Sequence, residues 1–121
     1  MAPSRPAAPS HLVVFERWME TTRWIFERTQ RFPKRLRHSL TERIERAALD
    51  VLEHLTAAAW RKSKEEILLR TDERLSQLRV LLRLAFELKV LSHGQYEEAA
   101  KRLSETGKMV GGWRKSRPSA S

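Results

Sequence analysis

Leu75-Ser-Gln-Leu-Arg-Val-Leu-Leu-Arg-Leu-Ala-Phe-Glu-Leu-Lys89 decides the fold. It holds no proline or glycine, its leucines recur three and four apart, and nothing in it alternates like a strand, so the spacing predicts a helix. At 100° per residue, Leu75, Leu78, Leu81, Leu82, Ala85 and Leu88 form an inner arc, while Val80, Leu84 and Leu91 fall outside it. Only a narrow polar strip is left, carrying Asp72, Ser76, Arg79, Arg83 and Glu87. A helix apolar nearly all round needs burial on more than one side, whereas a bundle buries one. Val80, Leu84 and Leu91, with Leu49 and Trp60 facing away from the apolar arc of the preceding helix, therefore predict an oligomer interface or a protein partner. The competing reading is a scatter of surface apolar residues, which is common.

Outward from this segment, start signals divide the chain into four helices. Ser10 after Pro9 caps a first helix over about 11–30, and Phe32-Pro33 breaks the chain because proline disfavours helix at the residue before it. Capping boxes at Ser39–Glu42, Ser63–Glu66 and Ser92–Gln95 open helices over about 39–62, 63–91 and 92–112. Each has an apolar face: Val14, Phe15, Trp18, Met19, Ile25 and Phe26 on the first, Leu40, Ile44, Ala48, Val51, Leu52 and Leu55 on the second. The fourth offers Tyr96, Ala99, Leu103, Val110 and Trp113, with Gly107 and Gly111 one turn apart where another helix is expected to come close. Short connections make successive helices antiparallel, so the expectation is an all-α, up-down-up-down four-helix bundle over 11–113. Residues 1–10, rich in Pro, Ala and Ser, read as a disordered leader, and 114–121 as a basic flexible tail.

The 121 residues suit one domain with a modest core. Without cysteine there is no disulfide, thiolate zinc site or cysteine nucleophile. The apolar runs are too short to span a membrane, and the first ten residues lack the apolar region of a signal peptide, so a cytoplasmic protein is expected. The net charge of +9 makes polyanions the obvious partners. Arg28, Arg31, Lys34, Arg35 and Arg37 cluster with no acid between 28 and 38, and Lys108, Arg114, Lys115 and Arg117 cluster with none after Glu105. In an up-down bundle these lie at opposite poles, the second beside Arg61, Lys62 and Lys64. Such clusters suit phosphate contacts that release counterions, although a solvated basic surface is the plain alternative. Arg79 and Arg83 stand one turn apart and read equally as a docking pair for acidic groups or as a simple Arg83–Glu87 helical ion pair.

No Gly-rich phosphate loop, nucleophile elbow or His-Glu-x-x-His is present, so a non-catalytic protein without metal or cofactor is expected. Asp50 and His54, at i and i+4, read as a helical ion pair rather than metal ligands. Trp18, Trp24, Trp60 and Trp113 read as core or interface residues, with base stacking the lesser alternative.

Phe32-Pro33-Lys34, the run Ser39-Leu-Thr-Glu-Arg-Ile-Glu-Arg-Ala-Ala-Leu-Asp50, the segment 75–89 and Gly107-Lys-Met-Val-Gly-Gly-Trp-Arg-Lys-Ser116 share their order and spacing with a known family. Over about residues 12–116 the chain resembles the accessory variability determinant (Avd) proteins of diversity-generating retroelements. These belong to a wider four-helix-bundle family that includes the protein encoded in intervening sequences of 23S ribosomal RNA genes. The resemblance implies a bacterial or phage-encoded, basic, barrel-shaped homopentamer. Its implied partners are the element's reverse transcriptase and structured template RNA, with the cDNA copied from it, and its implied role is mutagenic retrohoming. It also implies a contact with transcriptase or nucleic acid at Arg79 and Arg83. The ribosomal-intron branch shares the fold without a known retroelement role, so an RNA-binding or structural bundle of that type is the alternative.

Overall fold

The computed structural model describes residues 10–116, and the Pro-rich segment 1–9, Arg117 and the remaining tail lie outside them. Four long helices carry the fold: α1 (Ser10–Thr29), α2 (Glu42–Trp60), α3 (Glu65–Glu87) and α4 (His93–Ser116). No strand occurs among the described residues. Each helix packs on its neighbours in sequence, and α1 closes the square by packing on α4. Cross-helix contacts give the directions. His11 meets Trp113, Arg17 meets Glu105 and Trp24 meets Arg102, so position rises along α1 as it falls along α4. The same antiparallel order relates Thr29 to Glu45, Asp50 to Arg74, and Asp72 to Arg114.

The core is continuous. Val14, Trp18 and Ile25 of α1, Ile44, Val51 and Leu55 of α2, Leu68, Leu75 and Leu78 of α3, and Leu103 and Val110 of α4 are all buried. Trp18, completely buried, donates its indole N–H to the Ala48 carbonyl at 2.9 Å, so the largest core side chain leaves no unpaired donor. Gly107 and Gly111 do not bring a helix close: a Cβ built on either meets nothing within 4 Å.

Of the three expected capping boxes, one forms. The Ser92 amide donates to Gln95 Oε1 at 2.9 Å, and the Gln95 amide donates to Ser92 Oγ at 3.1 Å. At Ser39 the chain is already helical: a 3-10 turn over Lys34–Leu36 runs into a π-turn over Arg37–Thr41 and then α2. Ser39 is therefore not in the extended conformation a cap needs, and its hydroxyl donates back to the Leu36 carbonyl at 3.3 Å. At Ser63 the box is replaced by a lysine. The Lys64 ammonium donates to the carbonyls of Ala58 and Arg61, finishing α2, and α3 begins at Glu65 with two acids in its first turn.

Two boundaries move for physical reasons. α3 stops at Glu87 rather than 91 because Lys89 takes a left-handed φ of 65°. Its N–H then bonds the Phe86 carbonyl at 2.9 Å, and that of Val90 bonds Ala85 at 3.0 Å, the paired geometry of a Schellman stop. α4 continues to Ser116, so Arg114 and Lys115 are helical rather than part of a flexible tail.

Candidate nucleic-acid and partner interface

The first basic cluster is built by the α1–α2 connection. The N–H of Arg31 bonds the Arg28 carbonyl and that of Phe32 bonds Thr29, turning the chain out of α1, and Pro33 sets an extended step before the 3-10 turn. Phe32 and Leu36 are buried and act as the feet of this connection. The residues between and after them are therefore forced outward, and Arg31, Lys34, Arg35 and Arg37 are all exposed. None of the four makes an ion pair among the described residues. The Thr29 hydroxyl donates to Glu45 at 2.6 Å and fixes the turn to α2. Arg28 stands apart from this group. It is half-buried on the α1–α4 side, 5.2 Å from the centre of the Trp24 ring, which Arg102 approaches to 5.1 Å.

At the opposite end the second cluster splits. Arg61, Lys62, Lys108 and Lys115 are exposed and make no ion pair among the described residues. Arg114, expected to serve nucleic acid, is instead a strut. Its guanidinium donates to Asp72 at 2.8 Å and Glu65 at 3.1 Å, tying α4 to α3, and these hydrogen bonds hold its pKa above the ordinary value. Lys64, already bound to two carbonyls, also lies 5.8 Å from the Trp113 ring.

A family model described as bAvd-like matches residues 12–117. The chain belongs to the bAvd-like family. No curated protein matches it.

On α3 of this bAvd-like protein, Arg79 is exposed and makes no ion pair among the described residues. Arg83 bonds Glu87 at 2.9 Å, with both side chains more than half exposed, so the bond leaves the guanidinium within reach of a stronger anion. The apolar residues expected at an interface separate into two groups. Leu49, Leu84, Val80 (67% exposed) and Trp60 (87% exposed) do stand on the surface of the bundle. Leu91 does not: it is 3% exposed, because the chain has left the helix by Leu88 and the 100° spacing no longer places it. For the same reason Leu88, expected in the inner arc, is exposed.

Leu12, Val13 and Leu69 are further exposed apolar residues that the wheel reading overlooked. Their signal was present in the sequence: Leu69 lies eleven residues, close to three turns, before Val80. Leu12 and Trp60 line one shallow hollow with His11, Phe15 and Thr56, of about 180 Å³.

Asp50 gives its carboxylate to Arg74, whose Nε lies 2.8 Å away, so the expected pairing with His54 is not made. His54 Nδ1 is buried without a hydrogen-bond partner, and desolvation holds the imidazole pKa below 6.5. The Asp50 carboxylate pulls it the other way, and the Arg70 and Arg74 guanidiniums add to the lowering. No group of three or more metal-ligating side chains occurs among the described residues, and no helix among them is long and apolar enough to cross a membrane.

Proposed function

We propose that this chain is a non-catalytic accessory subunit of a diversity-generating retroelement, which binds the element's reverse transcriptase and its template RNA during error-prone cDNA synthesis. The bAvd-like match across nearly the whole chain carries the retroelement assignment. Nucleic-acid binding is supported by the Arg31–Arg37 turn, where buried Phe32 and Leu36 present four cations that make no ion pair among the described residues, all at one end of the bundle. Phosphates would displace the counterions of this turn and of Arg61, Lys62, Lys108 and Lys115 at the other end. Arg79, with Arg83 one turn on, supplies a forked donor surface on α3 for the transcriptase or nucleic acid. The exposed Leu49, Trp60, Val80 and Leu84 support self-association, a homopentamer in the family resemblance, which would multiply the cationic ends into one platform.

The test is a pull-down of transcriptase and template RNA by the Arg79→Ala, Arg83→Ala variant. Both side chains are exposed, so the helical circular dichroism and melting temperature stay at wild-type values while capture of one or both partners falls. Undiminished capture of both would remove the site assignment. Binding of unrelated structured RNA with no capture of the transcriptase would move the protein to the ribosomal intervening-sequence type.

A further inference from the structure

Trp60 is the most exposed large apolar side chain among the described residues, and the hollow beside it opens at the end of the bundle where α1 begins. Leu12 and Phe15 of α1 and Thr56 of α2 line that hollow with it. Steps of three and four residues carry the same faces on to Met19 of α1 and Leu52 of α2, both half-buried, so an apolar groove runs from the end of the bundle down the α1–α2 seam. Its rims are acidic. Glu16, one turn after Leu12, and Glu53, two turns before Trp60, are exposed and make no ion pair among the described residues. In a chain of net charge +9, these rims repel a phosphate backbone and suit a segment that is apolar and cationic.

The residues before Ser10, Met1-Ala-Pro-Ser-Arg-Pro-Ala-Ala-Pro9, have that composition, with one arginine and no acid. Pro3, Pro6 and Pro9 recur every three residues, the period of a polyproline II helix, which would align all three rings on one edge. Aromatic-lined grooves bind such edges. We propose that residues 1–9 fold back in polyproline II form into the α1–α2 groove of their own chain, with Pro9 against the Trp60 indole and Arg5 between Glu16 and Glu53. The lengths agree. Arg5 lies four residues before Pro9, about 12 Å at 3.1 Å per residue. Glu53 lies seven residues before Trp60 and Glu16 six after Ser10, about 10 and 9 Å at 1.5 Å per residue. Arg61 and Lys62 follow Trp60 at the mouth of the groove, so this register keeps Arg5 about two turns from their like charge. A residue just before a helix commonly packs back on its first turn, which gives the reversal at Pro9 an ordinary entry angle. Attachment at Ser10 holds the segment beside its groove at high effective concentration. The self-association reading is not needed here: an indole has two faces, and Trp60 keeps one for a second copy.

Hydroxyl-radical footprinting of the full chain, read residue by residue by mass spectrometry, measures the cover on Trp60, with half-buried Trp24 on the α1–α4 side as the internal reference. The comparison is the full chain carrying Pro3→Gly, Arg5→Glu and Pro6→Gly. All three changes lie outside the four helices, so helical circular dichroism stays at the wild-type value. Trp60 is expected to oxidise several-fold faster in the variant, with the Trp24 rate and the mass by light scattering unchanged. Equal Trp60 rates would overturn the proposal: slow in both chains means that another copy covers the indole, and fast in both means that nothing does. A faster rate seen only with a fall in mass would overturn it too, because residues 1–9 would then act on association and not on the groove.

Discussion

Neutralising the α1–α2 turn is the perturbation most closely tied to nucleic-acid binding. Arg31, Lys34, Arg35 and Arg37 are exposed and unpaired among the described residues, and their outward placement depends on buried Phe32 and Leu36 rather than on their own side chains. Replacing all four with glutamine therefore leaves the protomer folded. If each cation meets one phosphate of a single-stranded region, each contributes about −0.7 to the slope of log affinity against log salt, and four contribute about −2.8 per protomer. Between 50 and 200 mM salt this slope is worth a factor of about 50, so the wild-type advantage over the variant shrinks by about that much across the series. Filter binding of the template RNA at four or five salt concentrations reads both slopes. Parallel lines for the two proteins would refute the reasoning, even if the variant bound more weakly throughout, because a uniform loss is not counterion release.

Three further outcomes follow from the protomer. Trp18→Phe removes the buried indole N–H to the Ala48 carbonyl and leaves a small void, costing about 1–3 kcal/mol in urea unfolding with no change in helix content. Lys89→Gly relieves a left-handed φ of 65° at the α3 stop and raises stability by about 0.5–1 kcal/mol, read as a higher urea midpoint. His54 has a folded pKa below its unfolded value, so its contribution to stability is fully present above about pH 6.5 and is lost as pH falls through the folded pKa. His54→Gln should therefore flatten the fall in melting temperature between neutral pH and pH 5, and an unchanged profile would dismiss the effect.

The helices were legible in the sequence because leucine and alanine spacing, Pro33 and Ser92–Gln95 are local signals that local structure obeys. The failures share a cause: a tertiary or neighbouring interaction took a group that sequence had assigned elsewhere. Lys64 took the carbonyls at the α2 terminus, and the π-turn over Arg37–Thr41 left Ser39 no terminus to cap. Lys89 is a poor candidate for a left-handed stop, where glycine is the usual signal, so the wheel ran past Glu87 and put Leu91 outside and Leu88 inside.

The two basic ends were legible because charge density needs no three-dimensional partner to be counted. Their division into free and bound cations was not, since Arg114 depends on Asp72 and Glu65, forty-two and forty-nine residues away. The retroelement partners rest on family membership, as no feature of helix spacing distinguishes a transcriptase from any other acidic or polyanionic surface.

Sedimentation velocity on the full chain, alone and then with reverse transcriptase and template RNA, addresses the joint claim of self-association and partner binding most directly. The chain alone should sediment as a single species several times the protomer mass, and in the mixture it should move with both partners and separate from the RNA as salt rises. A protomer-sized boundary that stays in place when transcriptase and RNA are added would contradict it.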